Sequence, residues 1–292
     1  MKLLPICAVF GLSLYLLAGR AIALDLAFDS KAKEPVSGAQ RIIALSPHAV
    51  ELLFAIGAGD RIVATTDYAD YPEAAKQIPR IGGYYGIQLE RVLELKPDLI
   101  VTWSGGNRAE DISRLEELGL PLFASEPKAL ADVADELEAL GRLTALEAKA
   151  TAQATQYRDR LEQLRLDNKD KAKVKVFYQL WSEPLMTVAS GSWVAQILEV
   201  CGADNVFANA KGEYPQVSLE AVLQTAPEVI IQTGDAGNVQ LLDWSRWPEV
   251  PAVARDRIYQ LNADLLHRAG PRTIDGIAQV CTTLDQARSS AL

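Results

Sequence analysis

The stretch LERVLELKPDLIVTW, residues 89–103, is written a second time as LEAVLQTAPEVIIQT, residues 219–233. Each copy opens Leu-Glu, continues as a short amphipathic segment, sets a Pro before an acidic residue and ends in an apolar run. Leu89, Val92 and Leu93, and in the second copy Leu219, Val222 and Leu223, fall at i, i+3 and i+4. That spacing predicts one buried helical face in each copy. Lys96 and Ala226 take the i+7 place, so each helix is expected to end there, ahead of Pro97 or Pro227. The residue before a proline is pushed out of the helical region. A helix–strand unit written twice predicts two similar α/β lobes.

Further apolar runs of strand length support this reading. They are RIIALS (41–46), RIVATT (61–66), DLIVTW (98–103) and PLFAS (121–125), then VKVFYQL (174–180), EVIIQTG (228–234) and RIYQLN (257–262). Helical stretches separate most of them. Near-continuous apolar strands alternating with helices argue for largely parallel sheets buried on both faces. Between the two groups, residues 143–173 hold no Gly or Pro and are rich in Ala, Leu, Glu, Gln and Arg, which predicts one long helix. The fold class read from the sequence is therefore α/β, with two Rossmann-like lobes joined by one long rigid interlobe helix. The boundaries are 24–143 for the N-terminal lobe, 144–171 for the helix and 172–292 for the C-terminal lobe. A chain of 292 residues suits about two domains. A continuous helix between them acts as a strut, because it has no hinge residues to absorb dihedral change.

Residues 1–23 form a separate unit. Lys2 precedes the apolar run LLPICAVFGLSLYLLAG, and small residues follow at Ala21-Ile22-Ala23. This is the order of a secretory signal cut near Ala23. The alternative, a membrane anchor, would prefer about 20 apolar residues. Removing Lys2 and Arg20 takes the formal net charge from -9 to -11. An acidic exported chain with no basic block is a poor nucleic-acid binder, and no second long apolar run predicts insertion into a membrane. Cys201 and Cys281 remain as an even pair in an oxidising compartment, which predicts one disulfide. Two buried free thiols are the alternative.

Glu90 and Glu220 sit second in each repeat, one step round from the apolar face. On spacing alone each complements a helix N-terminus, with Ser218 a plausible cap for the second helix. The sharper reading gives one exposed carboxylate per lobe to a two-fold partner, which requires matching groups on pseudo-equivalent surfaces. Aromatic residues gather where strands end: Tyr68, Tyr71, Tyr84, Tyr85, Trp103, Trp181 and Tyr214. Open α/β sheets bind ligands at the carboxyl ends of their strands, so the set predicts a cleft lined for a large, partly apolar ring system. Any one of these residues also suits a loop anchor.

There is no G-x-S-x-G, H-E-x-x-H or G-x-x-x-x-G-K-[ST] in the chain, so no nucleophile elbow, zinc-protease or phosphate-loop chemistry is expected. SGGN at 104–107 could aim amides at an anion or could simply be a turn. With two histidines, His48 and His267, a transition-metal site of more than two imidazoles is excluded. Either could still be an axial ligand to a cargo metal, and local hydrogen bonding is the simpler role.

RIIALSPHAVELLFAIGAGDRIVATTDYADYP, GIQLERVLELKPDLIVTWSGGN, LEVCGADNVF, YPQVSLEAVLQTAPEVII and RAGPR together resemble the periplasmic cobalamin-binding branch of the ABC-importer family that binds cobalamin, haem or ferric siderophores. The resemblance runs from about residue 41 to 287. It implies no enzymatic activity and no cofactor, with a corrinoid held as cargo in a cleft that closes little. It implies a monomer that delivers to a dimeric permease with its ATPase subunits. By motif, Tyr68, Tyr84, Trp103 and Tyr214 resemble cleft aromatics, and Trp181, at its strand end, joins them as a ligand-binding candidate. Asp264, Leu265, Leu266, His267 and Arg268 resemble the ligand loop of the C-terminal lobe. Glu90 and Glu220 resemble the lobe-top carboxylates that dock on permease arginines, and Cys201 and Cys281 resemble the branch's disulfide pair. His48 is a weak candidate ligand to cobalt. The alternative within the same fold is a carrier of haem or a ferric siderophore.

Overall fold

The computed structural model describes residues 37–234 and 241–289. The expected signal at 1–23 lies outside the described residues. Strand β1 (Ile42–Ala44) is wholly buried and leads into α1 (Pro47–Ala55), whose N-cap Ser46 accepts from the Ala49 amide. Strand β2 (Ile62–Thr65) follows, then a hairpin of β3 (Gly82–Gly83) and β4 (Gly86–Ile87). Next come α2 (Leu89–Leu95), β5 (Leu99–Trp103), α3 (Ala109–Glu117), β6 (Leu122–Ser125) and α4 (Asp132–Thr144). The first large sheet is parallel throughout, in the order β2-β1-β5-β6.

The long α5 (Glu147–Asn168) leads to β7 (Val174–Gln179), α6 (Trp193–Val200), β8 (Ala203–Asn205), α7 (Leu219–Thr225) and β9 (Val229–Gly234). The chain then forms α8 (Pro251–Ala254), β10 (Ile258–Asn262), α9 (Ala263–His267) and α10 (Thr273–Ser289). These strands make a second parallel sheet, in the order β10-β9-β7-β8. Counted within each lobe, both sheets read second-first-third-fourth, so the repeat in the sequence is a repeat of topology. The winding reverses between β1 and β5, and again between β7 and β9. In open α/β sheets such a reversal opens a crevice at the carboxyl ends of the strands.

The two copies of the opening motif fold alike. Helices α2 and α7 each have seven residues. Each ends on a left-handed residue: Lys96 at φ 48°, ψ 60° and Ala226 at φ 48°, ψ 61°. The turn thus comes where Pro97 and Pro227 forbid further helix. Ser218 caps α7 through the Ala221 amide, whereas Gln88 gives α2 no side-chain cap. The expected apolar face is corrected in one respect. Val92 and Val222 are fully buried, but Leu93 is 45% exposed.

Helix α5 starts later than residues 143–173 suggested. Ala145 takes a left-handed conformation at φ 55° and closes α4, and helix resumes only at Glu147. Neither Gly nor Pro marks this break, so composition gave no sign of it. Ala150, Ala154, Tyr157, Leu161 and Leu164 form the buried stripe of α5, which packs against α4 on one side and α6 and α10 on the other. The Cys201–Cys281 disulfide joins the end of α6 to α10. Among the described residues, no helix is long and apolar enough to cross a membrane.

Candidate functional site

The carboxyl ends of both sheets face two adjoining cavities of about 760 and 630 Å3. The larger is lined by Tyr68 and Asp70 from the loop after β2, and by Gly234, Gln260, Asn262 and Asp264 from β9, β10 and α9. The smaller is walled by Pro47, His48, Trp103 and Gly105 on the first lobe, and by Trp193, Glu213 and Tyr214 on the second. His267 and Arg268 line both, so the two cavities are halves of one interlobe cleft. Small-molecule sites commonly span about 300–1,000 Å3. Each half alone falls in that range, and the whole suits a larger ligand.

An ion cluster crosses the base of this cleft. Glu51 on α1 has a side chain only 2% exposed. It accepts from Arg272 Nε at 2.9 Å, Arg272 Nη2 at 2.6 Å and Arg268 Nη1 at 3.3 Å. Arg268 also reaches Asp70 at 2.8 Å and Asp264 at 2.7 Å. The Arg272 guanidinium lies 3.7 Å from the Tyr71 ring centroid, a cation–π contact. Burial alone would raise the Asp70 carboxyl, but the Arg268 hydrogen bond and charge outweigh it and hold Asp70 below the usual carboxylate range. Two arginines of the second lobe are thereby fixed to two carboxylates of the first.

The first lobe's wall holds a buried polar chain. Ser125, at the end of β6, donates to Glu136 Oε2 at 2.6 Å, and its oxygen lies 2.8 Å from His48 Nε2. Glu136 also accepts from the Glu126 amide at 2.9 Å, and burial raises its carboxyl pKa. Burial lowers the His48 imidazole from 6.5 to about 4, so the ring is neutral near pH 7. The His48 ring meets Trp103 in an edge arrangement, with centroids 5.4 Å apart.

Of the residues singled out by sequence, Tyr68, Trp103, Tyr214, Asp264, His267, Arg268 and His48 meet at the cleft. Tyr68 is 71% exposed and holds a left-handed φ of 64°, a conformation costly for a bulky residue. His267 Nε2 is 2.8 Å from the hydroxyl of Tyr178, a buried residue of β7. Tyr84, Trp181, Leu265 and Leu266 are not among the residues that line the two cavities. Tyr84 stands on the exposed hairpin against Tyr85. Trp181 donates from Nε1 to the Glu183 carbonyl. Leu266 is turned into the apolar core, because the short α9 gives its outward face to Asp264 and His267. The amides of Gly106 and Asn107 both donate to the Trp103 carbonyl, and that of Ser104 to Ser125. The SGGN turn therefore uses these amides on itself and β6, so of the two readings it is the turn that holds. His48 Nε2 is engaged by Ser125.

Sequence reasoning missed Glu51, Asp70, Glu126, Lys128, Trp193, Glu213 and Gln260. The RAGPR arginines entered only as part of the resemblance, and nothing in the sequence pointed to Glu51 as their partner. Glu90 and Glu220 are exposed in the first turns of α2 and α7. The Glu220 carboxyl is lowered by its own backbone amide and by Ser218. Among the described residues, no group of three or more His, Cys, Asp or Glu side chains is placed to hold a metal.

The chain matches the family described as periplasmic binding protein over residues 42–265. It is 40% identical over 252 residues to the vitamin B12-binding protein of Vibrio cholerae, covering 86% of this chain and 91% of that one. The vitamin B12-binding protein of Yersinia pestis is 35% identical over 249 residues, covering 85% and 87%. A crystal structure of the periplasmic vitamin B12 binding protein of Vibrio cholerae superposes with a TM-score of 0.79 at 39% identity, covering 87% of this chain and 99% of that one. A periplasmic haem-binding protein from Roseiflexus sp. RS-1 shares the fold, with a TM-score of 0.76 at 23% identity over 86% and 99% of the two chains.

Proposed function

This chain belongs to the periplasmic binding protein family, and on that premise we propose that it captures cobalamin or a related corrinoid in the interlobe cleft and delivers it to an ABC permease. The carrying observation is the cleft itself. It sits at both topological switch points, is walled by Trp103, Trp193, Tyr214 and Tyr68, and occurs in a chain 40% identical to a vitamin B12-binding protein over 91% of its length. Aromatic faces suit a flat macrocycle. The polar groups among them, Gln260, Asn262, Asp264 and Arg268, suit the amide side chains that ring a corrin. Cobalamin is cargo in this reading, and the chain performs no chemistry on it. Residues 1–23 act as the export signal, cut near Ala23, and the mature protein works as a periplasmic monomer. Glu90 and Glu220, on helices of matching geometry, dock on a two-fold permease that works with its ATPase subunits.

Titration calorimetry of the purified mature protein with cyanocobalamin, with cobinamide and haemin alongside, tests the ligand. A tight one-to-one corrinoid isotherm supports the reading, and the order of the two corrinoids shows whether the cleft needs the nucleotide tail. One observation favours haem as the second reading: the exposed Tyr68 phenol stands on the wall of the larger cavity, and a phenolate is a known axial ligand to haem iron. Haemin binding with a Soret shift that Tyr68→Phe abolishes, and no heat from either corrinoid, would move the cargo to haem.

A further inference from the structure

Trp103 ends β5 at the switch point of the first lobe, and the residue is 37% exposed. The turn that follows is closed on itself. The Gly106 and Asn107 amides donate to the Trp103 carbonyl at 3.1 and 2.9 Å, and the Trp103 amide donates to Asn107 Oδ1 at 2.7 Å. Asn107 Nδ2 then donates to the Leu45 carbonyl at 2.8 Å, pinning the turn to the end of β1. The indole lies on this turn. A Cβ on Gly106 would overlap its six-membered ring, and one on Gly105 would come 3.2 Å from Nε1. One side of the ring thus rests on glycine backbone, where a side chain at Gly106 would have to displace the indole and one at Gly105 would crowd it.

His48 supplies a second restraint. Its imidazole meets the indole nearly perpendicular, at 81°, an arrangement aromatic pairs prefer over stacking face to face. The imidazole is itself tethered. Because the Ser125 hydroxyl donates to Glu136, its oxygen accepts from His48 Nε2–H. Three elements therefore hold one imidazole: α1, β6 and α4.

We propose that His48 and the Gly105–Gly106 turn preset the Trp103 indole as a fixed plate on the cleft wall, so that His48 is a positioning residue acting on the ligand through Trp103. The identity of the ligand rests on the corrinoid reading above. The plate does not, since it is complete in the protein alone. A ring held before binding has no rotamer freedom left to lose when the ligand arrives, which raises affinity without adding a contact.

The test uses the mature protein and the variants His48→Gln, Gly106→Ala, Trp103→Phe, Trp103→Ala and the double variant His48→Gln/Trp103→Ala. Gln keeps an amide donor for Ser125 and removes only the ring, and melting temperatures check folding. Without ligand, the near-ultraviolet circular dichroism lost in Trp103→Phe identifies the band of a fixed Trp103. His48→Gln and Gly106→Ala are expected to weaken that same band. With cyanocobalamin, His48→Gln is expected to lose roughly three- to tenfold in affinity, the size of one aromatic pair, and less than twofold where Trp103 is already Ala. An equal loss with and without Trp103 would make His48 a direct contact and overturn the proposal. So would an unchanged Trp103 band in both His48→Gln and Gly106→Ala. If one of these two variants does not fold, the band in the other decides. If the wild-type protein takes up no cyanocobalamin, the corrinoid reading fails and the dichroism alone judges the plate.

Discussion

Replacing Glu51 by Ala should destabilise the protein more than any other single change at the cleft. The carboxylate is 2% exposed and accepts three hydrogen bonds from two arginines whose side chains are 12% and 17% exposed. Arg268 keeps Asp70 and Asp264 in the variant. Among the described residues Arg272 keeps the face of Tyr71 and the more distant charge of Asp264 but no hydrogen-bonded carboxylate, so most of the loss falls on Arg272. Removing one partner of a buried pair costs about 3–5 kcal/mol. The guanidiniums are not wholly dry and Arg268 retains two carboxylates, so the lower end, about 3 kcal/mol, is expected. In a domain pair of this size that lowers Tm by roughly 6–12 °C. Glu51→Gln keeps the shape and one acceptor and should cost about 2 kcal/mol, the scale of a charge-assisted hydrogen bond. Urea unfolding of Glu51→Ala, Arg272→Ala and the double variant completes a cycle. A loss below about 1 kcal/mol for Glu51→Ala, or a coupling near zero between the two sites, would refute the clamp. The effect should also survive 0.5 M salt, because buried pairs are weakly screened.

Changing Cys201 and Cys281 to Ser opens a loop of 80 residues and should cost roughly 4–5 kcal/mol by loop entropy, read as a lower urea midpoint that dithiothreitol reproduces in the wild type. His48 sets a pH dependence. Its imidazole is lowered from 6.5 to about 4, so between these values the unfolded chain takes up a proton that the folded chain refuses. Stability should therefore fall as pH drops through that window, by about 3 kcal/mol in all, and urea midpoints of His48→Gln should vary less with pH there. Glu90→Ala combined with Glu220→Ala should reduce uptake in cells or reconstituted vesicles while leaving cobalamin affinity within twofold of wild type. A matching loss of affinity would show that these carboxylates serve the ligand rather than docking.

The frame of the molecule was legible because backbone rules write it locally. Pro97 and Pro227 announce the ends of α2 and α7, and apolar runs of strand length mark buried parallel strands wherever they occur. Features that depend on a remote partner were not legible. Leu93 has the spacing of a buried residue, but it stays 45% exposed. Ala145 breaks the helix in a conformation its side chain disfavours, with α4 and α5 packed against each other on either side of it. Glu51 reads as an ordinary acid on an amphipathic helix. Only the return of α9 and the RAGPR turn, more than two hundred residues later in the chain, makes it the base of the cleft.

The two lobes are alike where a symmetric partner would meet them and unlike where a ligand would. Helices α2 and α7 agree at their C-terminal caps to within a degree and carry Glu at the same place, although only α7 has a side-chain N-cap. The cleft walls share no such likeness. The first lobe offers a tethered imidazole and an indole laid on glycine backbone. The second offers the charged and polar α9 with Tyr214 and an indole, that of Trp193, whose buried Nε1–H meets no acceptor among the described residues. A two-fold permease requires equivalent docking points, so the repeat must be kept on that surface. A corrinoid has two chemically different faces, so the cleft is free to diverge. The proposed division of roles therefore accounts for two like helices, α2 and α7, beside cleft walls that differ.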